Sequence, residues 1–149
     1  METILMNIQA RIAETGIKYV DEDWGQLDLF MGDFPVQFPC CLFNLETADF
    51  ENIGQDRKAT PAQRQTGRFN VELCIADMKL SGTSANTPIS QKEGAWKIHN
   101  IIEDVHKKIQ GFNPAENCSK LIRRSSKRIR RDDGIQEYRI IYDFQAENI

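Results

Sequence analysis

The chain has 149 residues, 40% of them hydrophobic and 28% charged, with a formal net charge of −3, the make-up of one globular domain with its own core. No basic stretch runs into an apolar one at the N-terminus, and no apolar run approaches the roughly 20 residues of a bilayer-crossing helix. That argues against secretion and a membrane role and makes the cytosol the expected place of synthesis. The charge is unevenly divided: residues 1–53 hold ten acids and two bases, and residues 54–149 hold twelve acids and seventeen bases. Such a division suits binding to copies of itself or to unlike neighbours through complementary faces.

Residues 2–14 predict an amphipathic helix, with Ile4, Leu5, Ile8 and Ile12 on one stripe and Gly16 just past its end. Ile17–Val20 reads as a short strand, followed by an acidic knot, Asp21, Glu22 and Asp23, before Trp24-Gly25. Leu27, Leu29 and Phe30 suggest a second short strand closed by Gly32-Asp33. Pro35 and Pro39 bracket the next strand, which becomes regular only after Pro39 because proline removes a ladder donor. There Cys40, Leu42 and Asn44 face one way and Cys41, Phe43 and Leu45 the other, so this strand is covered on both sides.

The polar stretch from Glu51 to Gly67 shows no apolar periodicity and reads as a long loop. It is either a simple hairpin connection or a segment that orders against a partner or lines an opening in an oligomer. Arg68 to Met78 then alternates, with Phe69, Val71, Leu73 and Ile75 opposite Asn70, Glu72, Cys74 and Ala76. Residues 89–110 predict a helix with Ile98, Ile101, Ile102, Val105 and Ile109 buried, Trp96 at its border and Gly111 at its end. A hairpin closes the chain: Leu121 to Arg131, an Asp132-Asp133-Gly134 turn, and Ile135 to Phe144, the clearest half-buried strand. The expected fold is α+β, a mainly antiparallel sheet with two helices packed on it and a long polar loop between two strands.

Little here resembles an active site. Adjacent strand residues Cys40 and Cys41 point to opposite faces, Cys74 lies mid-strand and Cys118 stands alone; with no Cys-x-x-Cys spacing, buried free thiols are expected rather than disulfides or zinc. His99 and His106 lie seven apart on one helix side with no third ligand near, so they read as boundary histidines and no metal site is expected. Glu103-Asp104 falls on an exposed helix face and Asp132-Asp133 in a turn, without the apolar surroundings that tune a catalytic acid. No Gly-rich phosphate loop, nucleophile elbow or catalytic triad is present, so no catalytic residue and no cofactor is nominated. The basic run Lys120, Arg123, Arg124, Lys127, Arg128, Arg130 and Arg131 invites a nucleic-acid reading. Strand alternation splits it between two faces, however, and no aromatic is interleaved for stacking, which favours a protected edge or a subunit contact.

The order and size of these parts resemble those of phage tail terminator (tail completion) proteins, or of related neck proteins of long-tailed phages. The resemblance spans nearly the whole chain: the helix of Met1–Thr15, the Phe34-Pro-Val-Gln-Phe-Pro39 lead-in to a strand, and the polar excursion before Phe69–Met78. The helix about Ala95–Ile109 and the closing hairpin through Tyr138–Phe144 complete it. It implies a homo-oligomeric ring, typically a hexamer, at the end of the tail tube. Such a ring ends tube polymerisation and presents the head-docking surface, with the tail tube protein and a head-completion protein as partners. The protein would then reside in the virion, at the tail end or neck, after assembly in the bacterial host cytoplasm.

The family works through surfaces, so no binding residue is carried over from it. On this chain, Asp21, Glu22 and Asp23 would meet Arg123, Arg124, Lys127, Arg128, Arg130 and Arg131 between neighbouring subunits. Arg57, Lys58 and Arg64 on the long loop would face the lumen, the tube or passing DNA. The alternatives are a head-completion or stopper protein of the neck, and a small nucleic-acid-binding module using residues 120–131.

Overall fold

The computed structural model describes residues 1–29 and 35–149. Helix α1 (Glu2–Ala13) leads to strand β1 (Tyr19–Glu22) and a 3-10 turn (Gln26–Asp28). Strands β2 (Cys40–Gln55) and β3 (Gln63–Met78) follow, then helices α2 (Ile89–Ala95) and α3 (Lys97–Ile109) and the hairpin β4 (Ile122–Ile129) and β5 (Ile135–Glu147). The strands form one sheet in the order β1-β2-β3-β5-β4. Only β1 is parallel to its neighbour; the other pairings are antiparallel. This is the expected α+β architecture. No helix among the described residues is long and apolar enough to cross a membrane.

Alternation along β3 explains how the sheet is covered. Phe69, Val71, Leu73 and Ile75 point into the larger core, where α1 contributes Ile4, Ile8 and Ile12, α3 contributes Ile98, Ile101, Val105 and Ile109, and β5 contributes Ile140, Tyr142 and Phe144. Cys74 and Ala76 point the other way, joining Cys40, Leu42, Leu27 and Ile135 in a smaller core capped by Val36 and Phe38. Cys41 and Phe43 belong to the first core and Cys40 and Leu42 to the second, so β2 begins as a strand covered on both faces, as its sequence requires. All four cysteines are free and buried.

Four expectations need correction. The stretch from Glu51 to Gly67 is not a long loop: Glu51–Gln55 ends β2, Gln63–Gly67 begins β3, and the two pair as an antiparallel ribbon. Both faces of most of this ribbon meet solvent, so its strands need no apolar alternation and their backbone ladder alone marks them. The helix expected over 89–110 is two helices, because helical geometry lapses at Trp96 (φ −101°, ψ 8°). There α2, which buries only Ala95, gives way to α3, which buries four residues against the sheet.

The strand expected at Ile17–Val20 lies two residues later, where β1 pairs with Cys40–Phe43. Leu27 sits in the 3-10 turn rather than in a strand, since a single buried leucine plugging the small core needs no ladder. Leu29 is exposed and in no strand, and the rest of that expected segment, Phe30, Gly32 and Asp33, lies outside the described residues, as does Phe34 of the proline-bracketed lead-in.

Where the ribbon joins the sheet, three aromatic rings stack. Phe69 lies 5.2 Å from Phe144 in near-parallel stacking and 5.6 Å from Phe50 edge-on. Gly67 makes room for them: a Cβ there would stand 2.6 Å from the Phe69 ring and 3.0 Å from Phe50. Gly67→Ala is therefore expected to lower unfolding stability by about 1–3 kcal/mol, the usual cost of overpacking, read as a reduced urea midpoint with an unchanged slope.

Candidate functional site

The helix-free face of the sheet is where sequence and structure diverge most. Glu72, Glu137 and Arg139 read in sequence as the exposed rows of their strands, yet Glu137 is only 2% exposed. A buried carboxylate must be paired and hydrogen-bonded. Arg131 Nη1 and Arg139 Nε each donate to it at 2.9 Å. Arg139 Nη1 also reaches Glu72 at 2.6 Å and Asp23 at 2.9 Å. Arg131 further binds Asp133 at 2.6 Å and Asp28 at 3.4 Å and donates to the Leu27 carbonyl. Hydrogen bonding to Asp133 outweighs burial and raises the Arg131 pKa, while the same bond holds the Asp133 carboxyl below its ordinary range.

The cluster thus ties the acidic knot and 3-10 turn to β3 and the closing hairpin. Beside it opens a cleft of about 530 Å³ lined by Glu46, Glu72, Lys127, Arg131, Glu137 and Arg139 among others. Of these, Glu72, Arg131, Glu137 and Arg139 are already paired with one another.

The residues expected at subunit contacts fall into two groups. Asp23 and Arg131 are committed inside the subunit, with side chains 11% and 12% exposed. Asp21 accepts hydrogen bonds from the Tyr19 hydroxyl (2.7 Å), Trp24 and Gln26, which lowers its pKa, the Tyr19 bond most. Arg124 binds Asp143 at 2.6 Å but stays 59% exposed. Glu22, Arg123, Lys127, Arg128 and Arg130 are exposed, with no ion-pair partner among the described residues. Acidic and basic parts of the chain therefore meet partly within one subunit, through Asp23–Arg139 and Asp28–Arg131.

Of the three cations expected on the long loop, Arg57 and Lys58 sit at the ribbon tip. That turn is shaped by Asp56, whose carboxylate accepts the Lys58 amide at 2.9 Å and whose own amide bonds the Ala62 carbonyl at 2.8 Å. Arg64 is on β3 instead, 3.7 Å from Glu147. The C-terminal residues brace the ribbon: the Asn148 amide bonds the Gln65 carbonyl, and its side chain donates to the Thr60 carbonyl.

Burial pushes the Cys40 thiol up to about 12 and those of Cys41, Cys74 and Cys118 upward as well, which disfavours the nucleophilic thiolate. His106 and His99 do border the core, beside Tyr142 (Nδ1 to hydroxyl, 2.8 Å) and the Tyr138 ring respectively. Sequence reasoning missed the Arg131–Glu137–Arg139 cluster. Its only signal was the charged row facing Cys74 and Ala76 across the β3–β5 register, and the cover over that row comes from residues a hundred positions away.

No protein-family model matches the sequence, and neither does any curated protein. Among solved structures, the fold is similar to that of a chain in the virion of a native gene transfer agent particle. The TM-score is 0.51 at 10% sequence identity, over 97% of this chain and 91% of that one. At such low identity the likeness is one of fold.

Two measurements check the energetics. Arg139→Met strips Glu72 and Asp23 of their partner and halves the pairing of Glu137, so stability is expected to fall by about 3 kcal/mol in urea unfolding. Burial first, and the nearby Arg123 charge second, lower the His106 pKa from 6.5. The unfolded chain then binds the proton more readily, so this contribution is intact above pH 6.5 and is lost as pH falls through the lowered folded value. His106→Asn should flatten stability between pH 7.5 and 5.5.

Proposed function

We propose that the chain is a structural protein of a phage-like virion and, within it, the tail terminator. In this reading it is a ring subunit that caps the tail tube, ends its polymerisation and offers the filled head a docking surface. The observation that carries the virion reading is the likeness of fold, over nearly all of both chains, to a chain of a gene transfer agent virion. The finer assignment draws support from the order of elements read in the sequence and from the charge division along it.

A non-enzymatic role accords with the site chemistry. The thiols are buried with raised pKa values, and the carboxylates over the cleft are locked to arginines. Copies of the chain would associate laterally, with the tail tube protein on one end of the ring and a head-completion protein on the other. Arg57 and Lys58 at the ribbon tip would touch the tube or passing DNA.

One observation favours a second reading. Arg123, Lys127, Arg128 and Arg130 form an exposed basic strip, which suits a neck stopper or a nucleic-acid-binding module that contacts DNA. Light scattering at low and moderate salt separates the readings. A closed species of about six subunits of 17.1 kDa, stable to salt, is expected for the terminator ring. A strict monomer retained on DNA in a salt-sensitive way overturns it in favour of the nucleic-acid module.

A further inference from the structure

The sheet ends in two strands whose outer edges have no strand beside them among the described residues. On one side, β1 covers only Cys40–Phe43 of β2, so residues 44–55 present an open edge. On the other side β4 is the last strand. An unpaired edge is a template for another strand, and natural proteins blunt such edges or use them. These two edges carry opposite charge. Strand β2 contains Glu46, Asp49 and Glu51 and no base, whereas β4 contains Arg123, Arg124, Lys127 and Arg128 and no acid. All three acids are exposed, with no ion-pair partner among the described residues.

Charge and strand direction together select one arrangement. A two-fold contact would set β4 against β4 or β2 against β2, placing like charges opposite each other, which is destabilising. A head-to-tail contact sets acids against bases. The strands β2, β3, β5 and β4 alternate in direction, so β4 of one copy runs antiparallel to β2 of a copy related by rotation about an axis near the strand direction. The alternation then continues across the boundary without a break. Bulges interrupt β2 between Leu45 and Thr47 and between Asn52 and Gly54, and β4 between Arg123 and Ser125. They leave regular runs of similar length at 47–52 and 125–129. Phe50, within the β2 run and 52% exposed, adds apolar surface to it.

We propose that the 47–52 edge of β2 pairs in antiparallel fashion with the 125–129 edge of β4 from a second copy. The result is one continuous sheet around the oligomer, in which the acidic β2 edge meets the basic β4 edge and Asp49 and Glu51 share the helix-free face with Lys127. This rests on the ring reading above and names its lateral interface.

The test is a charge exchange. One variant carries Glu46→Lys, Asp49→Lys and Glu51→Lys; the other carries Arg123→Glu, Lys127→Glu and Arg128→Glu. Each alone matches like charge to like and is expected to stay monomeric by light scattering at concentrations where the unaltered chain forms rings. Mixed in equal amounts, each β2 edge meets an oppositely charged β4 edge, and the closed species returns. Amide hydrogen exchange on the unaltered chain gives a readout independent of variant folding: assembly is expected to slow exchange at 47–52 and 125–129 at least tenfold.

Variants that form rings singly, a mixture that stays monomeric, or unchanged exchange at those edges while rings form would each overturn the pairing and leave the ring standing. An unaltered chain that remains monomeric at every salt concentration overturns the ring reading, and the pairing with it.

Discussion

Strand β3 must satisfy more neighbours than any other element, and the remaining structure is arranged around that requirement. Its backbone is paired on both sides, to β2 from Gln63 to Ala76 and to β5 from Thr66 to Met78. Its side chains enter the large core on one face and the small core on the other. A strand buried on both faces tolerates polar residues only where each finds a partner. Glu72, the one charged residue in its central stretch, finds Arg139 on the adjoining strand. That single demand links β3 to Asp23 and, through Glu137, to Arg131 and the 3-10 turn.

The cluster accounts for the division of labour among the charges. Charges near the middle of the helix-free face are paired within the subunit and fix how the segment before β2 lies on the sheet. Charges farther out, on β2 beyond Phe43 and, Arg124 apart, on β4, have no ion-pair partner among the described residues. Opposite signs at opposite edges are costly to leave exposed only if like edges meet, and they become an asset when unlike edges do. Under the proposed pairing, the same polarity would disfavour contacts between like edges and allow one ordered assembly. The ribbon tip, braced by the C-terminal residues, holds Arg57 and Lys58 on a defined support.

How much was legible beforehand followed from which residues had to be apolar. The stripe of α3, the alternation of β3, the double-sided start of β2 and the closing hairpin around Gly134 were all readable, because each buries apolar side chains at a fixed period. The ribbon from Glu51 to Gly67 was not. A two-stranded ribbon open to solvent is held by backbone hydrogen bonds to which every residue type contributes alike. The lapse at Trp96 likewise leaves no mark on the stripe, because the helix before it buries a single alanine.

The same distinction governs the candidate site. By itself the sequence determined the α+β class, a β2 start covered on both sides, buried free thiols, and an acidic first third set against a basic last third. These follow from composition and period, which are local properties. Only the tertiary structure decided which charges cancel inside the subunit and which remain at the edges. Asp23 and Arg139 stand far apart in sequence yet 2.9 Å apart in space, and pairing at that range depends on strand order and register, which no local pattern encodes.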